Sequence, residues 1–303
     1  MTQTALILGG TGRFGRNCTL AFEAAGWQTR QFDRKADDLM LAVQGVDVIV
    51  AAWNPAYPDW AAQVLQQHAK VIKAARSVDA TVIVPGNVYV YGPDSDPIWR
   101  VTTPHQATNP LGRIRIDLEA AYRESGVRTI LLRAGDFIDT KDSGNWFDMI
   151  LTSKLAKGIF RYPGQVNIPH AWAYLPDLTR AAVELAEKRD TLNRFEEVAF
   201  PGYTLSGQEL TDALSDVCGV DLRLKQVSWL PFRLLSPFWK MAGCLLEMRY
   251  LWNTPHSLAR DRFDTLLPDF KATPVADALR SAIAGKIQKP VVSLMETSTQ
   301  TSR

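Results

Sequence analysis

Three glycines near the N-terminus constrain the fold of this chain more than any other feature. Gly9, Gly12 and Gly15 follow an apolar run, Ala5 to Leu8, and open a segment whose apolar residues recur at helical spacing. A strand, a tight turn and a helix in this order present backbone amides and the positive end of a helix dipole to a diphosphate. The spacing therefore predicts a dinucleotide site at the first strand of an α/β sheet.

Charged residues near this turn bear on the choice of dinucleotide. Asp33 ends the next predicted strand and can accept hydrogen bonds from both adenosine ribose hydroxyls, which favours NAD. Arg34 follows it, and Arg13 lies inside the turn; their guanidinium groups could hold the 2′-phosphate of NADP instead. Phe14 is expected to fill the space beneath the turn. NAD is the predicted cofactor, and NADP stays open as the alternative.

Short β-rich runs alternate with helical patterns in the first part of the chain, and a weaker alternation continues beyond it. The predicted strands are residues 5–8, 27–32, 46–51, 81–84 and 127–133. Strands joined by crossover helices form a parallel sheet, so the pattern predicts an α/β fold with a doubly wound parallel sheet of the Rossmann type.

The domain organisation follows from where this alternation weakens. We expect a nucleotide-binding Rossmann domain over residues 1–165, with residues 173–200 packing back on it through a predicted helix. From residue 201 the sequence is irregular, proline-marked and aromatic, which predicts a smaller C-terminal α+β substrate domain over residues 201–288. Residues 289–303 are rich in Ser and Thr and are expected to form a loose tail.

Composition excludes several classes of function. The net charge of +2 is not concentrated in any run of Lys and Arg, so nucleic acid is not an expected partner. Cys18, Cys218 and Cys244 are odd in number and widely spaced, which favours neither disulfides nor zinc, and the four histidines have no metal-ligand spacing. No leader or membrane span is predicted, and a cytoplasmic location is the expectation.

Four further segments, in the right order over roughly residues 4–190, resemble the extended branch of the short-chain dehydrogenase/reductase superfamily, the NAD-dependent epimerase/dehydratase proteins. VDVIVAAWNP resembles the strand beside the adenine and ribose, and TVIVPGNVYVYG the strand that ends in the catalytic Ser or Thr. NPLGRIRIDLEAA resembles the helix that opens Asn-Pro-Tyr-Gly-x-x-Lys, and LLRAGDF the loop at the nicotinamide and substrate. The resemblance adds further cofactor contacts, namely Ala51, Ala52, Trp53, Pro85, Arg115 and Asp136.

The catalytic positions of that family hold different residues here. The hydroxyl position falls on Asn87, the tyrosine position on Leu111 and the lysine position on Arg115. Leu111 cannot carry a proton, and Asn87 can hydrogen-bond a carbonyl but cannot complete a hydroxyl relay. Arg115 keeps the donors needed to hold the nicotinamide ribose.

A tyrosine close to the altered positions offers a replacement acid. Tyr89 lies two residues beyond Asn87, so on an extended segment both side chains leave on the same side. His105 and Asp136 are secondary candidates from nearby loops, and Tyr91 is expected to pack. The catalytic set predicted from sequence is therefore Asn87, Tyr89 and Arg115.

Two functions of different class follow from this combination. The first is an NAD(P)-dependent oxidoreductase or epimerase/dehydratase-like enzyme with an atypical active site and an unidentified small-molecule substrate. The second is a non-catalytic NAD(P)-binding protein, a redox sensor or assembly protein, which the loss of all three catalytic identities keeps open.

A segment rich in tryptophan and large aliphatic residues, 228–252, stands apart from these motifs. Prolines and charged residues interrupt every window long enough to span a membrane. Besides ordinary small-domain core, three interpretations stay open: a cap over the substrate cleft, a contact between two copies in a homodimer, and a surface resting on lipid.

Overall fold

The computed structural model describes residues 2–286, and the predicted tail at 289–303 lies outside them. The strands are β1 (Thr4–Leu8), β2 (Gln28–Phe32), β3 (Val48–Ala51), β4 (Thr81–Gly86), β5 (Ile98–Trp99), β6 (Thr129–Arg133), β7 (Asp136–Ile138), β8 (Ile159–Tyr162), β9 (Ala171–Tyr174), β10 (Phe195–Ala199), β11 (Tyr203–Thr204), β12 (Arg223–Gln226) and β13 (Ser257–Leu258). The helices are α1 (Arg13–Ala24), α2 (Leu39–Ala42), α3 (Trp60–Val78), α4 (Pro110–Ser125), α5 (Leu175–Glu187), α6 (Gly207–Cys218), α7 (Leu230–Leu235), α8 (Lys240–Glu247), α9 (Asp261–Leu266) and α10 (Val275–Ile283). Short 3₁₀ helices cover Tyr57–Asp59, Val88–Val90, Leu155–Lys157, Arg189–Thr191 and Met248–Asn253, and Phe147–Leu151 forms a π-helical turn.

Six of these strands form the central sheet, in the order β10-β6-β4-β3-β1-β2. All five pairings are parallel, and Leu8 at the end of β1 lies beside Phe32 of β2 and Ala51 of β3. The order reverses on either side of β1, so the carboxyl ends of β1 and β3 open a crevice between them. The prediction of a doubly wound parallel sheet is confirmed.

Each face of the sheet carries its own hydrophobic core because successive side chains of a strand point to opposite faces. Leu6 and Leu8 pack in the core that contains the buried residues of α3 and α4. Ala5 and Ile7 pack in the opposite core, with residues of α1 and α5. Apolar runs without alternation therefore become strands that are buried on both sides.

A second lobe has its own hydrophobic core. Its buried cluster contains Phe160 and Tyr162 of β8 as well as Leu210 and Leu214 of α6. The chain enters this lobe at β7, returns to the sheet through α5 and β10, and enters the lobe again at β11. Residue 165 lies between β8 and β9, both of which contribute buried residues to this core.

Candidate active site

The glycine turn joins the carboxyl end of β1 to the amino end of α1. Gly9 has a φ of 85°, which favours glycine, and its carbonyl accepts the amide of Gly12 at 2.9 Å. A Cβ on Gly15 would lie 2.3 Å from that carbonyl oxygen, whereas a Cβ on Gly12 would meet it only at 3.2 Å and nothing else within 4 Å. In the described part of the chain no side chain caps the N-terminus of α1. Its first amides are therefore open to an anionic ligand, as the dinucleotide hypothesis requires.

The loop after β3 forms one wall of this turn. Ala51 is buried, and the position of a Gly9 Cβ would lie 3.0 Å from the Ala52 carbonyl oxygen and 3.2 Å from Trp53 Cδ1. The Trp53 ring packs against Phe32, with 5.3 Å between ring centroids. Ala52 and Trp53 therefore lie against the glycine turn, directly after Ala51 at the end of β3.

The charged residues predicted to select the cofactor lie on two sides of the turn. Asp33 is exposed at the end of β2, where one carboxylate oxygen accepts the amide of Lys35 at 2.8 Å. Arg34 is also exposed. Arg13 instead donates to the carbonyl of Gly144 at 2.9 Å, across the crevice on the loop after β7. Phe14 is buried in the core beneath the turn, the position predicted for it.

The carboxyl end of β4 brings the three predicted catalytic residues together. The Asn87 side-chain oxygen accepts the amide of Tyr89 at 3.0 Å and caps a short 3₁₀ helix. Arg115 is buried, and its guanidinium donates to the carbonyl of Pro85 at 2.6 Å and lies 5.9 Å from the ring centroid of Trp60. The buried Arg115 Nε has no partner within residues 2–286.

A second tyrosine, which the sequence reasoning missed, joins Tyr89. The hydroxyls of Tyr57 and Tyr89 lie 2.6 Å apart. Burial raises the pKa of Tyr89 well above its ordinary value of 10.0, and the neighbouring Tyr57 and Asp136 raise it further. Burial also raises the pKa of Tyr57, against the lowering effect of its hydrogen bond to Tyr89. Both phenols are therefore protonated at neutral pH. The available signal was the position of Tyr57 in the loop after β3, at the carboxyl edge of the sheet.

The family's tyrosine position is closed by packing. Leu111 is 3% exposed and belongs to the same core as Met248 and Leu251. The Leu111 amide donates to Glu247 at 2.6 Å, and Asn109 donates to the same carboxylate oxygen at 2.9 Å. Glu247, at the end of α8, thus supplies the cap for α4. No local sequence signal pointed to it, since 136 residues separate it from Leu111.

Asp136 has a partner that the sequence reasoning did not identify. His170 Nε2 lies 2.8 Å from a carboxylate oxygen of Asp136, whose side chain is 24% exposed. His170 is buried and stacks on Trp252, with 4.6 Å between ring centroids. The ring of a second buried histidine, His256, has its centroid 4.4 Å from the centroid of the His170 ring. Within residues 2–286 no group of His, Cys, Asp and Glu is arranged to hold a metal ion.

His105 belongs to a buried ionic cluster around Arg133. Arg133 pairs with Glu119 at 2.7 Å and with Glu197 at 2.6 Å, and His105 Nδ1 lies 3.8 Å from Glu119. Burial, followed by the charge of Arg133, lowers the pKa of His105. Tyr91 is buried and stacks on Trp99, in the packing role expected for it. These contacts hold His105 in a structural network beneath the end of β6.

Comparison with known proteins identifies the fold. No protein-family profile and no curated protein sequence matches the chain. Solved structures match over almost its whole length. A GalE-like L-threonine dehydrogenase from Cupriavidus necator, in its apo form, superposes with a TM-score of 0.72 at 16% identity, over 94% of this chain and 99% of that chain. The Bordetella bronchiseptica enzyme WbmH in complex with NAD⁺ superposes with a TM-score of 0.68 at 16% identity, over 94% of this chain and 98% of that chain. MoeE5 in complex with UDP-glucose and NAD superposes with a TM-score of 0.69 at 14% identity, over 93% of this chain and 97% of that chain. The chain therefore has the fold expected from its resemblance to extended short-chain dehydrogenase/reductases.

Proposed function

We propose that this chain is an NAD-dependent oxidoreductase or epimerase-like enzyme that acts on a small molecule with Tyr89 as its proton donor. The pair of hydroxyls formed by Tyr57 and Tyr89 carries the proposal. It stands at the carboxyl edge of the sheet that bears the glycine turn, where doubly wound folds bind their ligands. Two of the solved structures with this fold contain NAD.

The arrangement around the glycine turn supports NAD as the cofactor. Asp33 places an exposed carboxylate at the end of β2. There it would accept hydrogen bonds from the ribose hydroxyls, and its negative charge would repel a 2′-phosphate. The Arg13 guanidinium donates to the carbonyl of Gly144, so it is engaged there. Bound here, the nicotinamide would accept or supply a hydride. Residues 51–53, Pro85 and Arg115 would line its binding path.

Proton transfer is assigned to Tyr89 because burial, followed by the neighbouring Tyr57 and Asp136, raises the pKa of its hydroxyl and keeps it protonated. Because the pKa of this phenol is raised, the hydroxyl keeps its proton at neutral pH and holds it for transfer to a carbonyl oxygen as hydride arrives. Tyr57 can pass a proton along the hydrogen bond to Tyr89. The side-chain oxygen of Asn87 accepts a hydrogen bond from the Tyr89 amide. Its side-chain nitrogen, Nδ2, therefore stays available to donate a hydrogen bond to the same substrate oxygen. Asp136, held by His170, would be a further contact to the substrate.

The first prediction tests this assignment through Tyr89→Phe. Carbonyl compounds and alcohols are screened with NAD(H) and NADP(H) to find turnover, and the variant is then compared with the unmodified protein. Turnover should fall about a hundredfold or more, as for a lost general acid, while NAD affinity is unchanged because the ring remains.

Tyr203→Phe is the matched control, since it also removes a half-buried hydroxyl, one that donates to the carbonyl of Thr273 away from the cleft. Equal turnover in Tyr89→Phe and the unmodified protein contradicts the assignment to Tyr89. NAD binding without turnover on any compound would instead favour the non-catalytic sensor or assembly protein.

A further inference from the structure

An exposed apolar segment in the second lobe has no role in the proposed reaction. It comprises residues 230–240, from the start of α7 to the start of α8, and we call it the α7 segment. Leu234 is 68% exposed, Phe238 91% and Trp239 46%, and Leu230 and Leu235 are exposed beside them. Large apolar groups that recur in so short a stretch mark an interaction surface, whereas isolated ones do not.

The charge of the surrounding sequence is of one sign. From residue 222 to residue 246 the chain contains four cationic residues and no Asp or Glu, although the whole protein carries a net charge of only +2. The cations are Arg223, Lys225, Arg233 and Lys240, and all four are exposed. The exposed apolar groups of the α7 segment therefore lie in a stretch of sequence whose charged side chains attract anions.

A cavity at the base of this segment has the donors of an anion site. It encloses about 320 Å³ and is lined by Arg233 and Arg249, with Trp229 and Leu230 among its apolar walls. The Arg249 guanidinium lies 5.4 Å from the Trp229 ring centroid, and its buried Nε has no partner within residues 2–286. Among the described residues no carboxylate lines the cavity, so an anion such as a phosphate group would supply the missing acceptor.

From these observations we infer that the α7 segment docks the protein on the surface of an anionic lipid bilayer, with a lipid phosphate held between Arg233 and Arg249. Leu234, Phe238 and Trp239 enter the headgroup and upper acyl region. This is contact with a surface, because no helix within residues 2–286 is long and apolar enough to cross a membrane. The inference goes beyond the proposed reaction and does not depend on it.

A second copy of the chain is a poorer occupant of the same face. A two-fold contact would place this patch against itself, which brings the cations of both copies together with no carboxylate between residues 222 and 246 to offset them. An anionic bilayer offers both an apolar interior and compensating charge.

The test is co-sedimentation of the purified full chain with vesicles. Phosphatidylcholine vesicles that contain about 30% phosphatidylglycerol should bind the protein, and pure phosphatidylcholine vesicles should bind it at least about twentyfold more weakly. Salt at about 1 M should weaken binding to the anionic vesicles, since screening shortens the reach of the surface potential.

Two pairs of variants separate the apolar and the charged contributions. Leu234→Ser with Phe238→Ser should reduce the partition coefficient at least about tenfold, and Arg233→Glu with Lys240→Glu at least about twentyfold. The matched controls are Leu20→Ser with Leu41→Ser, which are 58% and 75% exposed on α1 and α2, and Lys154→Glu with Lys157→Glu. Both controls should bind vesicles as the unmodified protein does. Thermal unfolding midpoints confirm that every variant is folded.

Three results would overturn the inference. The first is equal binding to neutral and anionic vesicles, or no binding to either. The second is calorimetric binding of glycerol phosphate, lost in Arg249→Gln, without any vesicle binding, which would make the cavity a site for a free phosphate compound. The third is a dimer in light scattering that Leu234→Ser with Phe238→Ser dissociates, which would assign the face to a second copy.

Discussion

Gly12 and Gly15 occupy the same turn for different physical reasons. The backbone of Gly9 already fills the space that a Gly15 side chain would need, so this glycine lets α1 approach β1. Beside Gly12 the space is open apart from one carbonyl oxygen, and there the missing side chain leaves room for a ligand. We therefore expect Gly15 to be required for folding and Gly12 for ligand binding.

This difference gives the second prediction. Gly12→Val should raise the NAD dissociation constant about a hundredfold or more with the fold intact, because a branched side chain would stand where the amides face the diphosphate. Gly15→Val should destabilise the fold itself by about 1–3 kcal/mol through overpacking. Calorimetry of NAD binding and urea unfolding measure the two effects. Normal NAD affinity in folded Gly12→Val would place the cofactor elsewhere.

Asp33 provides the third prediction, on cofactor preference. Asp33→Ala removes the acceptor for the ribose hydroxyls and the charge that opposes a 2′-phosphate. The ratio of the NADP to the NAD dissociation constant should therefore fall about tenfold or more. Asp94→Ala, at an exposed position outside the glycine turn, is the control and should leave the ratio unchanged. The same ratio in both variants would mean that Asp33 does not face the ribose.

Among the elements, α4 and α8 depend on each other. The carboxylate of Glu247 accepts the amide of Leu111 in the first turn of α4 and the side-chain amide of Asn109. A carboxylate at a helix N-terminus gains from the helix dipole as well as from these bonds. The helix that carries Arg115 is thereby held by a segment of the second lobe.

The fourth prediction follows from this cap. Glu247→Ala should lower the free energy of unfolding by about 1–2 kcal/mol, because it leaves the Leu111 amide and the Asn109 side-chain amide without their acceptor. Glu247→Gln keeps one acceptor oxygen and should cost less. Urea unfolding measures both, and Glu124→Ala, at an exposed position near the end of α4, is the control. A loss in Glu124→Ala as large as in Glu247→Ala would mean that the cap contributes nothing of its own.

For the whole molecule, buried histidines couple stability to acid. Burial, helped by the charge of Arg115, lowers the pKa of His68 from 6.5 to about 3, and burial lowers the pKa of His256 well below 6.5. Below pH 6.5 these two imidazoles therefore bind protons in the unfolded chain but stay neutral in the folded protein. The stability associated with the neutral imidazoles is complete above pH 6.5 and is lost as the pH falls towards the folded-state values.

The fifth prediction quantifies this loss. Between pH 6.5 and about 4 the free energy of unfolding should fall by about 1.4 kcal/mol per pH unit for each such imidazole. His68→Gln keeps a polar partner for the Tyr122 hydroxyl, which lies 2.8 Å from His68 Nδ1, but does not titrate. Its stability should decline less steeply with falling pH in urea titrations at several pH values. An identical slope would show that His68 is protonated in the folded protein.

Local patterns were enough to predict the framework of this protein. The five predicted strands all form, within two residues of their expected bounds, and the glycine turn joins β1 to α1 as its spacing requires. Apolar runs, glycines and helical spacing act over a few neighbouring residues, so they can be identified without knowledge of the rest of the chain.

The contacts that define the candidate site depend instead on residues far apart in sequence. Tyr57 and Tyr89 are hydrogen-bonded although 32 positions separate them in sequence. The separation is 34 positions for His170 and Asp136, and 136 positions for Glu247 and Leu111. These meetings arise where loops from different strands converge at one edge of the sheet and the second lobe closes against it.

Tertiary structure also decided the fate of the tryptophan-rich segment. Trp229 and Trp252 are buried, whereas Leu234 and Phe238, equally apolar, face solvent. Composition predicts that such side chains are usually buried, but the packing of the second lobe determines which of them are buried within this chain.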